Sequence, residues 1–81
     1  MHEAGITRRL LEVALERAAA AGADHITDVH VEIGEDSDVA QVAVEHYWPE
    51  LTRGTLAEGS RLRFQPAADA RAFRIIAIDV P

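Results

Sequence analysis

Apolar and polar positions along the chain fall into five stretches with different periods. Ile6, Leu10, Val13, Ala14 and Arg17 recur at helical spacing, and Leu11, Leu15 and Ala18 widen that stripe. Thr7, Arg8, Arg9, Glu12 and Glu16 fill most of the other side. The spacing predicts an amphipathic helix over 6–21, with Arg8 and Glu12 paired one turn apart and Gly22 as its C-terminal stop. Residues 26–33 alternate instead. Val29, Val31 and Ile33 point one way and Asp28, His30 and Glu32 the other, which predicts a strand ended by Gly34. Asp38 and Gln41 have the form of a capping box and predict a second helix, with Val39, Val42, Ala43, His46 and Tyr47 on its stripe. Pro49 lacks an amide donor and crowds the preceding turn, so this helix is expected to end or kink near Tyr47 or Trp48. Gly54 and Gly59 mark a connector over 52–59. Residues 61–65 alternate around Leu62 and Phe64 as a second strand, and 66–71 form a short link. Residues 72–80 form a third strand with apolar residues on both parities, the pattern of a central, well-covered strand.

The order is helix, strand, helix, strand, strand, without repeats or low-complexity segments. Eighty-one residues make one domain, and a chain this short buries a modest core, so self-association is expected. Strand exchange between two copies is one form it could take. The hydrophobic content of 48% argues for a folded core rather than disorder. Fourteen acidic against 8 basic residues give a net charge of −6, which argues against nucleic acid or an anionic membrane as main partner. No apolar run is long enough to span a bilayer, and the N-terminus lacks the layout of a signal peptide, so a cytoplasmic location is expected. With no cysteine there is neither a disulfide nor a thiolate zinc site.

Candidate chemistry concentrates at Met1-His2-Glu3. The α-amine of Met1, the amide nitrogen of His2 and the His2 imidazole can close a five-membered and a six-membered chelate ring on one metal ion. The set is planar and nitrogen-rich, which suits Ni(II) or Cu(II) better than Zn(II). A fourth position stays open for the backbone or carboxylate of Glu3, for water, or for a partner's ligand, and an open position makes metal easy to hand over. Elsewhere His30, between Asp28 and Glu32 on one strand face, is expected to be solvent-exposed rather than a ligand. His25 is expected at the surface, and His46 packed or hydrogen-bonded on the second helix. Tyr47 and Trp48 are the candidates for a partner surface, against the plainer expectation of packing. The glycines around Arg53 do not match a phosphate-binding loop, and the chain has no lysine. No nucleophile–base arrangement emerges, so no enzyme is expected.

Met1-His2-Glu3 with Ile6 and Leu10-Leu11-Glu12 resembles the opening of the HypA family, the nickel metallochaperones of hydrogenase and urease maturation. Val29-His30-Val31-Glu32-Ile33-Gly34 is similar to the family's first strand, and Thr52-Arg53-Gly54-Thr55-Leu56-Ala57-Glu58-Gly59-Ser60-Arg61-Leu62 to its most recognisable block. Ile75 to Val80 resembles its closing strand. The resemblance implies an α+β fold with two helices packed on one face of a three-stranded sheet. It implies nickel held transiently at Met1, His2 and Glu3. It also implies docking on the nickel-insertion GTPase HypB and on the hydrogenase large subunit. Family members carry a zinc ribbon of paired Cys-x-x-Cys motifs between the last two strands, where this chain has only 66–71, so no zinc is expected. A metal-free interaction module that keeps the family's docking surface is the alternative.

Overall fold

The computed structural model of the chain describes residues 3–81. Its elements are α1 (Glu3–Ala20), β1 (Asp28–Ile33), α2 (Gln41–Thr52), β2 (Arg61–Pro66) and β3 (Phe73–Asp79). This is an α+β fold in which the two helices cover one face of a three-stranded sheet. The core joins Leu10, Leu11, Ala14 and Ala18 of α1 to Val44 and Trp48 of α2, Val29 and Val31 of β1, and Ile75 of β3.

Strand order is β2-β1-β3, with β1 parallel to β2 and antiparallel to β3. The third strand is therefore an edge, not the centre expected from its apolar run. A bulge accounts for the run. Val31 pairs with Ile75 but His30 with Ala77, so Ile76 is an extra residue and the alternation changes phase there. Phe73 and Ile75 before the bulge, and Ile78 after it, all lie on the core side, opposite Ile33, Val31 and Val29. The true centre, β1, looked like a half-exposed strand because its outer residues are charged.

The link between β2 and β3 is not a hairpin turn, because the two strands flank β1. Residues 67–72 cross the C-terminal end of β1, a span of about 10 Å at ordinary strand spacing. Ala67 N–H donates to the Ile33 carbonyl at 3.1 Å, Gly34 N–H to Ala72 at 2.8 Å, and Asp36 N–H to Ala70 at 2.7 Å. The crossing is so close that a Cβ on Gly34 would lie 2.2 Å from the Ala70 carbonyl oxygen and 2.4 Å from that of Asp69. One chain closes its own sheet in this way.

Helix α1 ends as its sequence predicts. Gly22 has φ +68°, its N–H reaches the Ala19 carbonyl at 3.1 Å, and Ala23 N–H reaches Ala18 at 2.9 Å, the paired bonds of a Schellman cap. Thr7 departs from its expected polar side. It is buried, and its hydroxyl donates to the Glu3 carbonyl one turn back, so it enters the core with its polar atom satisfied. The Arg8–Glu12 pair is replaced by Arg9–Glu12 at 3.1 Å.

Helix α2 departs further. It starts at Gln41 behind Ala40, which offers no side-chain cap, so the Asp38–Gln41 capping box does not form. Ser37 Oγ instead accepts from Val39 N–H at 3.1 Å and holds Val39 in the core from the loop. With Val39 outside the helix, the buried stripe is Val44, Trp48 and Thr52, and Val42 is 73% exposed. The helix also runs through Pro49 to Thr52. Trp48 is buried with its Nε1–H on Ser60 Oγ at 3.0 Å, and Thr52 is buried one turn on. This anchoring on both sides of Pro49, whose ring faces solvent, outweighs the one lost backbone bond.

Candidate metal centre

Met1 and His2 lie outside the described residues. Glu3, the third member of the expected ligand set, opens α1. Amides in the first turn of a helix have no carbonyl partner within it, so the Glu3 amide is not committed to the helix ladder. The Glu3 carboxylate also suits the positive end of the helix dipole. The first turns are rooted by the Thr7 hydroxyl on the Glu3 carbonyl, by half-buried Ile6 and by buried Leu10 and Leu11. Beside them runs an apolar hollow of about 390 Å³ between α1 and the start of β3, walled by Ile6, Leu10, Val13, Phe73 and Ile75, with Arg9 and Arg74 at its rim. This hollow is not legible in the sequence. Its walls come from two elements far apart in the chain, and each wall residue reads as ordinary core.

The outer sheet face carries the second group of titratable side chains, and they are joined in pairs. His30 Nε2 lies 2.9 Å from Asp79 Oδ2. Glu32 accepts from Arg74 at 3.0 Å. Asp28 accepts from Arg63 Nε at 2.8 Å, with Arg61 at 3.4 Å. Asp28 is held below the usual carboxylate range by the Thr27 hydroxyl and the Arg63 guanidinium, with Arg61 adding to them and burial opposing. Each acid on this face has a basic partner, and among the described residues no group of three or more His, Asp or Glu side chains could hold a metal ion. His30 is half-buried rather than exposed, and it is held in a pair.

The remaining candidates separate cleanly. His25 is exposed in the turn before β1. His46 is exposed rather than packed in the core, because the α2 stripe lies elsewhere, and its ring meets Tyr47 edge-on at 5.4 Å. Tyr47 is 37% exposed, whereas Trp48 is buried and offers no partner its side chain. The block 52–60 is architecture. Thr55 Oγ1 donates to the Thr52 carbonyl at 2.7 Å and accepts from Ala57 N–H at 3.1 Å. The Leu56 carbonyl accepts from Ile26 N–H at 2.9 Å, and Gly54 and Gly59 take φ of +80° and +79°.

The described residues form a small α+β domain whose first helix opens at Glu3, directly after Met1-His2 in the sequence. The family model described as HypA, hydrogenase/urease nickel incorporation, metallochaperone, matches residues 1–72, and the chain belongs to this family. It is 38% identical over 65 residues to the hydrogenase maturation factor HypA of Roseiflexus sp. (strain RS-1), covering 80% of this chain and 53% of that protein. It is 37% identical over 65 residues to the factor of the same name from Salmonella typhimurium, covering 80% of this chain and 55% of that protein. The chain thus spans about half the length of the curated relatives it matches. Its fold is that of the solution structure of the Ni metallochaperone HypA from Helicobacter pylori, with a TM-score of 0.85, 15% identity, and coverage of 99% of this chain and 97% of that chain. No helix among the described residues is long and apolar enough to cross a membrane.

Proposed function

We propose that this chain carries nickel as cargo during maturation of a nickel enzyme such as [NiFe] hydrogenase, and holds it at its free N-terminus. The observation that carries the reading is the family match, which begins at residue 1 and so takes in Met1-His2-Glu3. Met1 supplies its amine, His2 its amide nitrogen and imidazole, and Glu3 its backbone nitrogen or carboxylate. The uncommitted first-turn amide of Glu3 supports the last assignment. Each donor must lose a proton or arrive without one, so binding releases protons and weakens as pH falls. Cu(II) binds at least as tightly as Ni(II) in vitro, and selectivity comes from supply and partners. Those partners are a nickel-insertion GTPase of the HypB kind and the large subunit of the enzyme being matured. The link over 66–71 stands where the family's zinc ribbon would be inserted, and zinc plays no part in this chain.

The test is a Ni(II) titration of protein with a native N-terminus, read by the absorption of a planar nitrogen-rich site, and repeated with His2→Ala and with an N-terminal extension. The native protein is expected to bind near stoichiometrically at neutral pH and both altered forms to lose the band. Equal binding by all three would sink the terminal site. No binding by any would favour a metal-free docking module. Tightly held zinc in the purified protein would contradict the zinc-free reading.

A further inference from the structure

Building on the terminal nickel site proposed above, we propose that Thr7 is a positioning residue for it. The buried Thr7 hydroxyl holds Glu3 in place for the ion, and it serves metal binding rather than the stability of the fold.

The buried face of α1 consists of Thr7, Leu10, Leu11, Ala14 and Ala18. Thr7 is its only polar member, and at 0% exposure it is as fully enclosed as Ala14 and Ala18. Packing does not ask for a hydroxyl there. Valine has nearly the same branched outline and would fill the position without taking a polar atom into the core. The backbone does not ask for it either. Within an α-helix the Thr7 N–H already donates to the carbonyl four residues back, that of Glu3. A threonine hydroxyl added to such a carbonyl slightly destabilises a helix and tends to bend it. The Thr7 hydroxyl makes this bond, and among the described residues it makes no other.

The extra bond falls on one particular residue. Glu3 opens α1 directly after Met1-His2 in the sequence, and it is the third of the proposed donors. Helix ends fray, and the amides of a first turn have no partner within the helix. An ion bound through the Glu3 amide or carboxylate needs that residue held still. The hydroxyl ties Glu3 to a side chain that the core encloses and whose branched Cβ restricts its rotamers. Glu3 is then ordered before the ion arrives, and the cost of ordering it does not fall on binding. The other polar side chains of α1 that are paired do not reach this end. Arg9 meets Glu12 at the surface, and Arg17 donates to the Ile76 carbonyl at 3.0 Å near the far end of the helix.

The experiment compares the full chain with a native N-terminus, Thr7→Val and Thr7→Ser. Ni(II) affinity is measured at neutral pH by competition with glycine, and Tm is measured without metal. Thr7→Val is expected to keep or exceed the parent's Tm and to bind nickel about fivefold more weakly, the worth of one hydrogen bond. Thr7→Ser keeps the hydroxyl and loses a buried methyl, so it is expected to have the lower Tm and the parent's affinity. Stability and affinity then rank the two variants in opposite orders, which a purely structural threonine does not do. Parent-like affinity in Thr7→Val, or affinity that follows Tm across the three proteins, would overturn the proposal. A parent that binds no nickel would overturn it together with the terminal site. If the parent binds, His2→Ala does not, and Thr7→Val binds like the parent, the terminal site stands and only the role of Thr7 falls.

Discussion

Replacing Gly34 with alanine should be among the most damaging single-methyl changes in this protein. The φ of Gly34 is not positive, so the cost is steric and not conformational. The new Cβ would meet backbone atoms of Ala70 and Asp69 at 2.2 to 2.4 Å, about 1 Å inside ordinary contact. Neither is the flexible end of a side chain, so the whole 67–72 crossing must lift. Overpacking of this kind costs about 1–3 kcal/mol. Lifting the crossing also weakens three backbone hydrogen bonds of 2.7, 2.8 and 3.1 Å, each worth about 1 kcal/mol net. Allowing for partial relaxation, the expected loss is about 2–4 kcal/mol, against a total stability of about 4–12 kcal/mol for a domain of this size. That corresponds to a fall in Tm of about 10–25 °C. The control is Gly22→Ala, where φ is +68° and a Cβ meets nothing within 4 Å. Its cost is that of one left-handed alanine, about 1 kcal/mol. Urea denaturation of both variants, with amide exchange at Asp36, decides the matter. If Gly34→Ala costs less than Gly22→Ala, or leaves the Asp36 amide as protected as before, the crossing is not the tight contact described.

Asp28 titrates below its ordinary value in the folded protein, so the stability it contributes is present above the usual carboxylate range and is lost as pH falls through the lowered value. Asp28→Asn should therefore lower the urea midpoint at pH 7, with the gap to the parent closing below about pH 4; a gap independent of pH would contradict this. Ser60→Ala strands the buried indole N–H of Trp48, which it now accepts at 3.0 Å, and should cost about 1–2 kcal/mol in chemical denaturation. Pro49→Ala restores a backbone bond to the Glu45 carbonyl and relieves crowding in α2, and should stabilise by about 1–2 kcal/mol after the loss of proline's rigidity in the unfolded chain. A lower Tm for that variant would show that the ring packs where it is described as exposed.

Local signals read well where one segment settled its own fate. The stop at Gly22, the alternation of β1 and the glycine turns of 52–59 all stand where periodicity put them. The errors arise where a distant segment decides. The true stripe of α2 is phased by Trp48 reaching Ser60, which the run from Val39 does not reveal. The same anchoring carries the helix past Pro49. A bulge at Ile76 made an edge strand look central, because a phase change and two-sided burial write the same letters. The proposed metal site was read from three consecutive residues, which need no fold to bring them together. The hollow beside α1 was not legible, since it depends on which elements become neighbours.

The crossing over β1 also fixes where the chain can grow. Residues 6–13 of α1 lie against residues 73–75, so the head of α1 and the 67–72 crossing share one end of the sheet. Glu3 sits about 4.5 Å further along the helix axis than Ile6, towards that end. Chain added between Pro66 and Phe73 would leave the sheet there without changing strand order or register. Any module inserted at that port is delivered next to the head of α1, so one topological choice makes neighbours of two parts of the sequence some seventy residues apart.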